Sequence, residues 1–185
     1  AVPVEVPGAA PASDYSQPIN TLAPPPAEDV TQASVSTFDE ARSAFLQGDC
    51  REALAKTEQA LAKLPSDAAM HEFRALCQFA LGSYTDAAAT LYAVLSVGPG
   101  WDWTTMAGLY PDIDVYTGQL RKLESFLRDN PASTSARFVL AYHYLTQGNT
   151  DAAVAELKQV VARAPDDKLS AQLVKQFSKP GSEAE

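Results

Sequence analysis

ARFVLAYHYLTQGNTDAAVAELKQVVARAP, Ala136 to Pro165, reads as two short helices joined by a glycine turn. Gly148 follows the first apolar run and suits the left-handed conformation that closes a helix. Ala153 is small where two helices must approach closely. Leu157, Val160 and Val161 recur at helical spacing and form one apolar stripe. Pro165 stops the second helix, since proline lacks an N–H and clashes with the preceding turn. Asp166 or Asp167 can then cap the next helix.

The same punctuation recurs upstream. Pro65, Pro99, Pro131 and Pro165 are spaced by 34, 32 and 34 residues. Gly48, Gly82 and Gly148 are spaced by 34 and 66, and the longer gap equals one short and one full period. Two residue types with different structural jobs thus report one period. HEFRALCQFALGSYTDAAATLYAVLSVGP, His71 to Pro99, places Ala75, Gly82, Tyr84, Ala87 and Leu91 in the corresponding positions. FDEARSAFLQGDCREALAKTEQALAKLP, Phe38 to Pro65, does so with Ala41, Gly48, Ala53 and Ala60.

A period of about 34 with these small, aromatic and proline positions resembles the tetratricopeptide repeat, a helix–turn–helix unit. The resemblance covers residues 34 to about 177. It implies an all-α fold: a right-handed superhelix of about four hairpins over 34–67, 68–99, 100–133 and 134–167. A capping helix over 168–177, KLSAQLVKQF, would follow, with a tail over 179–185. Such arrays need a polar outer cap to stay soluble, and Lys168, Gln172, Lys175 and Gln176 supply one. The first repeat departs from the pattern at Glu40, where leucine is usual, and at Thr57, where an aromatic or leucine is usual.

GPGWDWTTMAGLYPDIDVY, Gly98 to Tyr116, holds both tryptophans and falls where the third repeat belongs. Trp103, Ala107 and Tyr110 take the aromatic, small and aromatic positions of a first helix. The turn glycine is replaced by Pro111-Asp112 and the unit is two residues short, so this hairpin reads as degenerate. Its first helix should end near Tyr110, because proline disfavours a helical residue before it. Asp112 and Asp114 read as helix caps. A calcium loop of the EF-hand type needs a third ligand, a glycine and a distal Glu at set spacing, and none follows. No metal or cofactor is implied. Trp103 is expected in the core, and Trp101 is the candidate partner contact.

Residues 1–33 differ in kind, with seven of the thirteen prolines and no Lys or Arg. Proline fixes φ and removes a donor, so this arm is expected to be extended. It is either a tether or a segment that docks on another chain. Ser13, Ser16 and Thr21 beside its prolines are candidates for O-linked sugar. The small first residue resembles what signal-peptide cleavage leaves, which leads to an expectation of export. A net charge of −9 argues against nucleic acid, whose phosphates need clustered Lys and Arg. No apolar run approaches the roughly 18 residues needed to insert in a membrane. Cys50 and Cys77 sit on neighbouring helices and are either one disulfide or two inert buried thiols.

No nucleophile motif, phosphate loop or HExxH helix is present in the sequence, and His71 and His143 read as packing residues, so no enzyme is expected. The resemblance implies a protein-binding module. Its concave groove would be lined by Phe38, Arg42, Phe45, Glu72, Leu76, Phe79, Phe138, Tyr142 and Leu145. Phe38 and Phe73 stand where some relatives carry the Lys and Asn of a carboxylate clamp, so that clamp is not expected. Two functions follow. One is a structural or assembly subunit whose arm docks on a neighbouring copy to build an oligomer or filament. The other is a monomeric adaptor or assembly chaperone that grips a peptide segment of another envelope protein.

Overall fold

The computed structural model describes residues 13–178, and no strand occurs among them. Residues 1–12 of the arm and the tail over 179–185 lie outside the described residues. The helices are α1 (Glu28–Leu46), α2 (Cys50–Lys63), α3 (Ala68–Ala80), α4 (Tyr84–Leu95), α5 (Trp103–Ala107), α6 (Ile113–Asp129), α7 (Thr134–Thr146), α8 (Thr150–Arg163) and α9 (Lys168–Phe177).

Three hairpins are regular: α1–α2, α3–α4 and α7–α8. Each turns at a glycine with positive φ: Gly48 at +83°, Gly82 at +77° and Gly148 at +78°. A side chain with a β-carbon is strained there, which is why these three positions set the period. Side-chain caps then start the next helices. Asp49, Asp67, Ser133 and Asp167 accept backbone N–H groups of Glu52, Met70, Ala136 and Ser170. Ala41, Ala53, Ala75, Ala87, Ala141 and Ala153 are at most 1% exposed, the close approaches the repeat requires. At the first repeat's departures, Glu40 accepts from Lys56 at 2.7 Å on the surface. Thr57 is fully buried with its hydroxyl donated to Ala53 O at 2.7 Å.

The third unit does not stack in line. α4 packs directly against α7, as α2 packs against α3 and α8 against α9. The physical reason is the length of α5. Five residues span about 7.5 Å and bury one side chain, Met106. That is too little surface to separate two neighbouring hairpins. The helix stops at Ala107, before the expected Tyr110, and Gly108 follows. Asp112 caps α6 by accepting from Asp114 N–H at 2.8 Å. The α5–α6 segment is thus an insertion between two hairpins that touch each other.

Two further expectations change. The arm ends earlier than residue 33, because α1 starts at Glu28. Nothing after Pro26 breaks a helix, and Glu28 and Asp29 in the first turn complement the positive helix start. The described part of the arm also lies against its own chain. Ile19 is 6% exposed, packs on Ala93 and Val94, and donates its N–H to Ala93 O at 3.3 Å. Tyr15 donates its hydroxyl to His71 Nδ1 at 2.8 Å. Cys50 and Cys77 are free thiols, so the disulfide is not formed. Burial raises both thiols above their usual range and keeps them protonated.

Gly118 lies inside α6, exposed, with nothing within 4 Å of the place a β-carbon would take. Gly118→Ala should therefore raise stability by about 0.5–1 kcal/mol through helix propensity. Urea unfolding followed by circular dichroism checks it, and a loss of stability would show a role for the bare backbone there.

A self-filled face and the cleft beside it

The expected groove is largely core. Phe45, Glu72, Leu76, Phe79, Phe138 and Tyr142 are each at most 5% exposed. For Phe45 and Phe79 the cause is the insertion, which lies across the first helices of the regular hairpins, while Phe138 packs on Tyr92 of α4. Tyr110 packs on Phe45 of α1 with ring centroids 5.1 Å apart. Tyr116 meets Phe79 of α3 at 6.3 Å and His143 of α7 at 5.6 Å. Trp103 stacks edge-on against Tyr116 at 5.2 Å. The aromatics that looked like a ligand surface are instead covered by this chain's own aromatics. Of the other three, Phe38 is half-buried against Phe73, and Arg42 is exposed beside Asp39 at 3.8 Å. Leu145 lines open space, in the cleft described below, which the edge of Tyr142 also reaches.

A single buried oxygen fastens the start of the insertion. Glu72 Oε1 accepts the Tyr142 hydroxyl at 2.5 Å and the Trp101 N–H at 2.7 Å. It therefore joins α3, α7 and the loop after α4. Burial raises the Glu72 carboxyl, while the two donors oppose that shift. Gly100 completes the junction. A β-carbon there would stand 2.9 Å from Glu72 Oε1 and 2.9 Å from Tyr142 Cε2. The short glycine-proline-glycine loop is thus needed for backbone to press on a buried carboxylate.

Next to this junction a cleft of about 630 Å³ opens between the Leu95–Asp102 loop, α7 and α9. Its floor is apolar, with Trp101, Tyr142, Leu145, Leu169, Leu173 and Phe177. Gln172 and Gln176, one turn apart on α9, offer amides at the rim. Among the described residues, the only charged side chain on its wall is Asp102, which also caps α5 by accepting Thr105 N–H at 2.8 Å. That bond holds the Asp102 carboxyl below its usual range. A second hollow, about 510 Å³, lies near the Gly48 turn and α6 but is lined by Asp49, Arg51, Asp114 and Lys122. It lacks an aromatic floor, so the first cleft is the better candidate. Sequence reasoning named Trp101, Tyr142 and Leu145 as binding-surface candidates but missed the α9 residues. The four-residue spacing of Leu169, Leu173 and Phe177 was their available signal.

The groups with large shifts lean toward their neutral forms. Burial pushes Tyr110, Tyr116 and Tyr142 up, and pushes His143 down to about 3. His143 is packed on the Phe79 ring at 3.9 Å and its Nδ1 is hydrogen-bonded with the Tyr116 hydroxyl at 3.1 Å. This is the electrostatic pattern of packing rather than of an activated base. Among the described residues no three His, Cys, Asp or Glu side chains converge on a metal position. No helix among them is long and apolar enough to cross a membrane.

Two family models of the tetratricopeptide repeat match the chain, over residues 38–100 and 120–177. Together they cover more than half of it, and the chain belongs to the tetratricopeptide repeat family. The stretch between the matches, residues 101–119, contains α5 and the start of α6, the part that leaves the hairpin line. The comparison with curated proteins returned no match. Repeats of this family make the chain a protein–protein interaction module.

Gly100→Ala should cost about 1–3 kcal/mol by overpacking, while leaving the helix content intact at 25 °C; equal stability to the parent in urea would contradict the close approach. Glu72 gives a pH signature. Its folded carboxyl is raised above the unfolded value, so its contribution is fully present below the unfolded pKa. That contribution is lost as pH rises through the folded pKa. Glu72→Gln keeps an acceptor for Tyr142 and Trp101 but does not titrate. Its stability relative to the parent should rise between pH 4 and pH 7, measured by thermal unfolding at several pH values.

Proposed function

We propose that this protein is a non-enzymatic adaptor that grips an extended, apolar segment of another protein in the cleft between the Leu95–Asp102 loop and α9. The observation that carries this reading is the division of the inner face. Most of it is filled by the insertion, and the open remainder has an apolar floor with Trp101 and Tyr142. Apolar burial supplies affinity on such a surface, and a few polar groups fix the register. Gln172 and Gln176 are suited to the backbone of an extended ligand, since each amide both donates and accepts. Among the described residues the wall carries one carboxylate and no cation, which favours neutral or basic ligands over a free C-terminal carboxylate.

The rival reading, an assembly subunit whose arm docks on a neighbouring copy, draws less support. Tyr15 and Ile19 already have seats on α3 and α4 of the same chain. Only the residues from Asn20 to Ala27 separate those seats from α1. A tether that short gives the internal contact an effective concentration on the order of millimolar, which a second copy in dilute solution does not match.

The test is selection of a random peptide library on the intact protein, with Leu173→Lys as the counter-selected variant. Enriched peptides should be apolar and poor in acidic residues, and should bind the Leu173→Lys protein at least tenfold more weakly. In a Trp103→Phe background, binding should shift the emission of Trp101, then the sole tryptophan. Peptides that bind both proteins equally and leave Trp101 unchanged would place the binding surface elsewhere.

A further inference from the structure

The segment around Tyr15–Ile19 rests on α3 and α4 through Tyr15 and Ile19. Its attachment uses two anchors. At the first, the Tyr15 ring packs edge-on against the His71 imidazole with centroids 5.4 Å apart. The Arg74 guanidinium lies over the same ring at 4.6 Å, and the hydroxyl donates to His71 Nδ1 at 2.8 Å. At the second, Ile19 fills a small apolar shelf formed by Ala93 and Val94 and makes one backbone hydrogen bond. Ile19 N–H to Ala93 O is the only backbone bond among the described residues that joins segments distant in sequence outside the helices. The rest of the segment bonds to itself: Asp14 accepts from Ser16, and Asn20 accepts from Leu22 N–H. Leu22 is 92% exposed.

The seat is held by groups other than the segment that occupies it. His71 Nε2 faces Pro65 O at 2.8 Å, and a carbonyl only accepts. The proton of a neutral imidazole is therefore on Nε2, and Nδ1 is a bare acceptor aimed at the seat. Arg74 is fixed by Glu58 at 3.0 Å and by the Thr90 hydroxyl at 2.6 Å. A bare acceptor, a fixed cation and an apolar shelf together define an occupant. It needs an aromatic ring with a hydroxyl donor and an aliphatic side chain four residues later. The equivalent place on α7–α8 does not offer this. There Arg137 bonds the matching carbonyl of Pro131 at 2.8 Å, and arginine has no acceptor. Beside Tyr15 and Ser16 the surface continues into a hollow of about 330 Å³ floored by Ala88, Tyr92 and Phe138. A longer segment entering the seat would gain contacts there.

We propose that residues 13–22 are a displaceable strap, and that the seat beneath them is a second docking surface for a partner segment carrying a tyrosine and, four residues on, an aliphatic side chain. The strap is the internal competitor, so docking is gated: a partner binds where it outcompetes Tyr15 and Ile19. The strap seat and the cleft share no lining residue, so each can be tested by its own substitutions.

Two measurements test it. The first uses the unaltered protein and amide hydrogen exchange. Ile19 N–H should exchange at least a hundredfold faster than the buried amides of α3 and α4, because the strap opens while the hairpins stay closed. If Ile19 exchanges only with global unfolding, the segment is a fixed structural element and the proposal fails. The second uses a synthetic peptide of Ser13–Leu22 as the probe, added to full-length protein carrying Tyr15→Ala and Ile19→Ala. The double variant, with an unchanged helical spectrum, should bind the peptide at least tenfold more tightly than the parent does. A peptide in which Tyr15→Phe removes the hydroxyl should bind severalfold more weakly. Equal binding to parent and variant, or no loss on removing the hydroxyl, overturns the docking chemistry.

Discussion

Glu72 Oε1 is the atom on which the architecture turns. Two hairpins that are adjacent in space, α3–α4 and α7–α8, are separated in sequence by the whole insertion. The oxygen receives Tyr142 from one hairpin and the backbone of Trp101 from the insertion's first turn. A buried carboxylate is costly unless it is hydrogen-bonded. Here the cost is offset by two short donors, and it fixes where the chain must go after α4. Without that anchor, nothing in a five-residue α5 would direct the insertion across the inner face. The direction of Tyr110 and Tyr116, and so the filling of the face beside Phe45 and Phe79, follows from it.

The filled face changes what kind of binding module this is. An open array presents its first helices to ligands along their full length. In this chain Phe45 of α1, Phe79 of α3 and His143 of α7 are covered by Tyr110 and Tyr116, with Trp103 behind them. Burial of these rings strengthens a small array, since Phe45, Phe79, Trp103, Tyr110, Tyr116 and His143 enclose one another. The same act shrinks the open surface to the end where α7, α9 and the loop after α4 diverge. Stability and binding area are therefore exchanged against each other in one segment.

The seat of Tyr15 shows a related contrast. His71 and Arg137 stand at the same place in successive regular hairpins, and both bond the carbonyl of the proline that ends the preceding helix. The choice of side chain there decides what the second face of that side chain offers. Histidine leaves an acceptor for Tyr15. Arginine instead reaches Glu156 at 2.6 Å and closes the position with an ion pair. A small difference within a repeated frame thus gives one hairpin a strap and the other a sealed surface.

Much of the fold was legible in the chain itself. The positive-φ glycines, the proline stops, the capping aspartates and the small alanines act within one hairpin, over distances of a few residues. Local rules therefore locate Gly48, Gly82, Gly148, Asp112 and Asp167 correctly. The period also located the third unit, and the shortened spacing and Pro111 marked it as irregular. What a linear pattern does not carry is which hairpins touch. That α7 meets α4 as well as α6 depends on α5 having too little surface to intervene, and that is a competition between distant packing partners. The same holds for the side chains at groove positions. Phe45, Phe79 and Tyr142 have the right place in the repeat to be exposed, but exposure is set by what lies over them. Only the tertiary structure decides that, because burial is a property of the neighbours a residue acquires rather than of its position in a period.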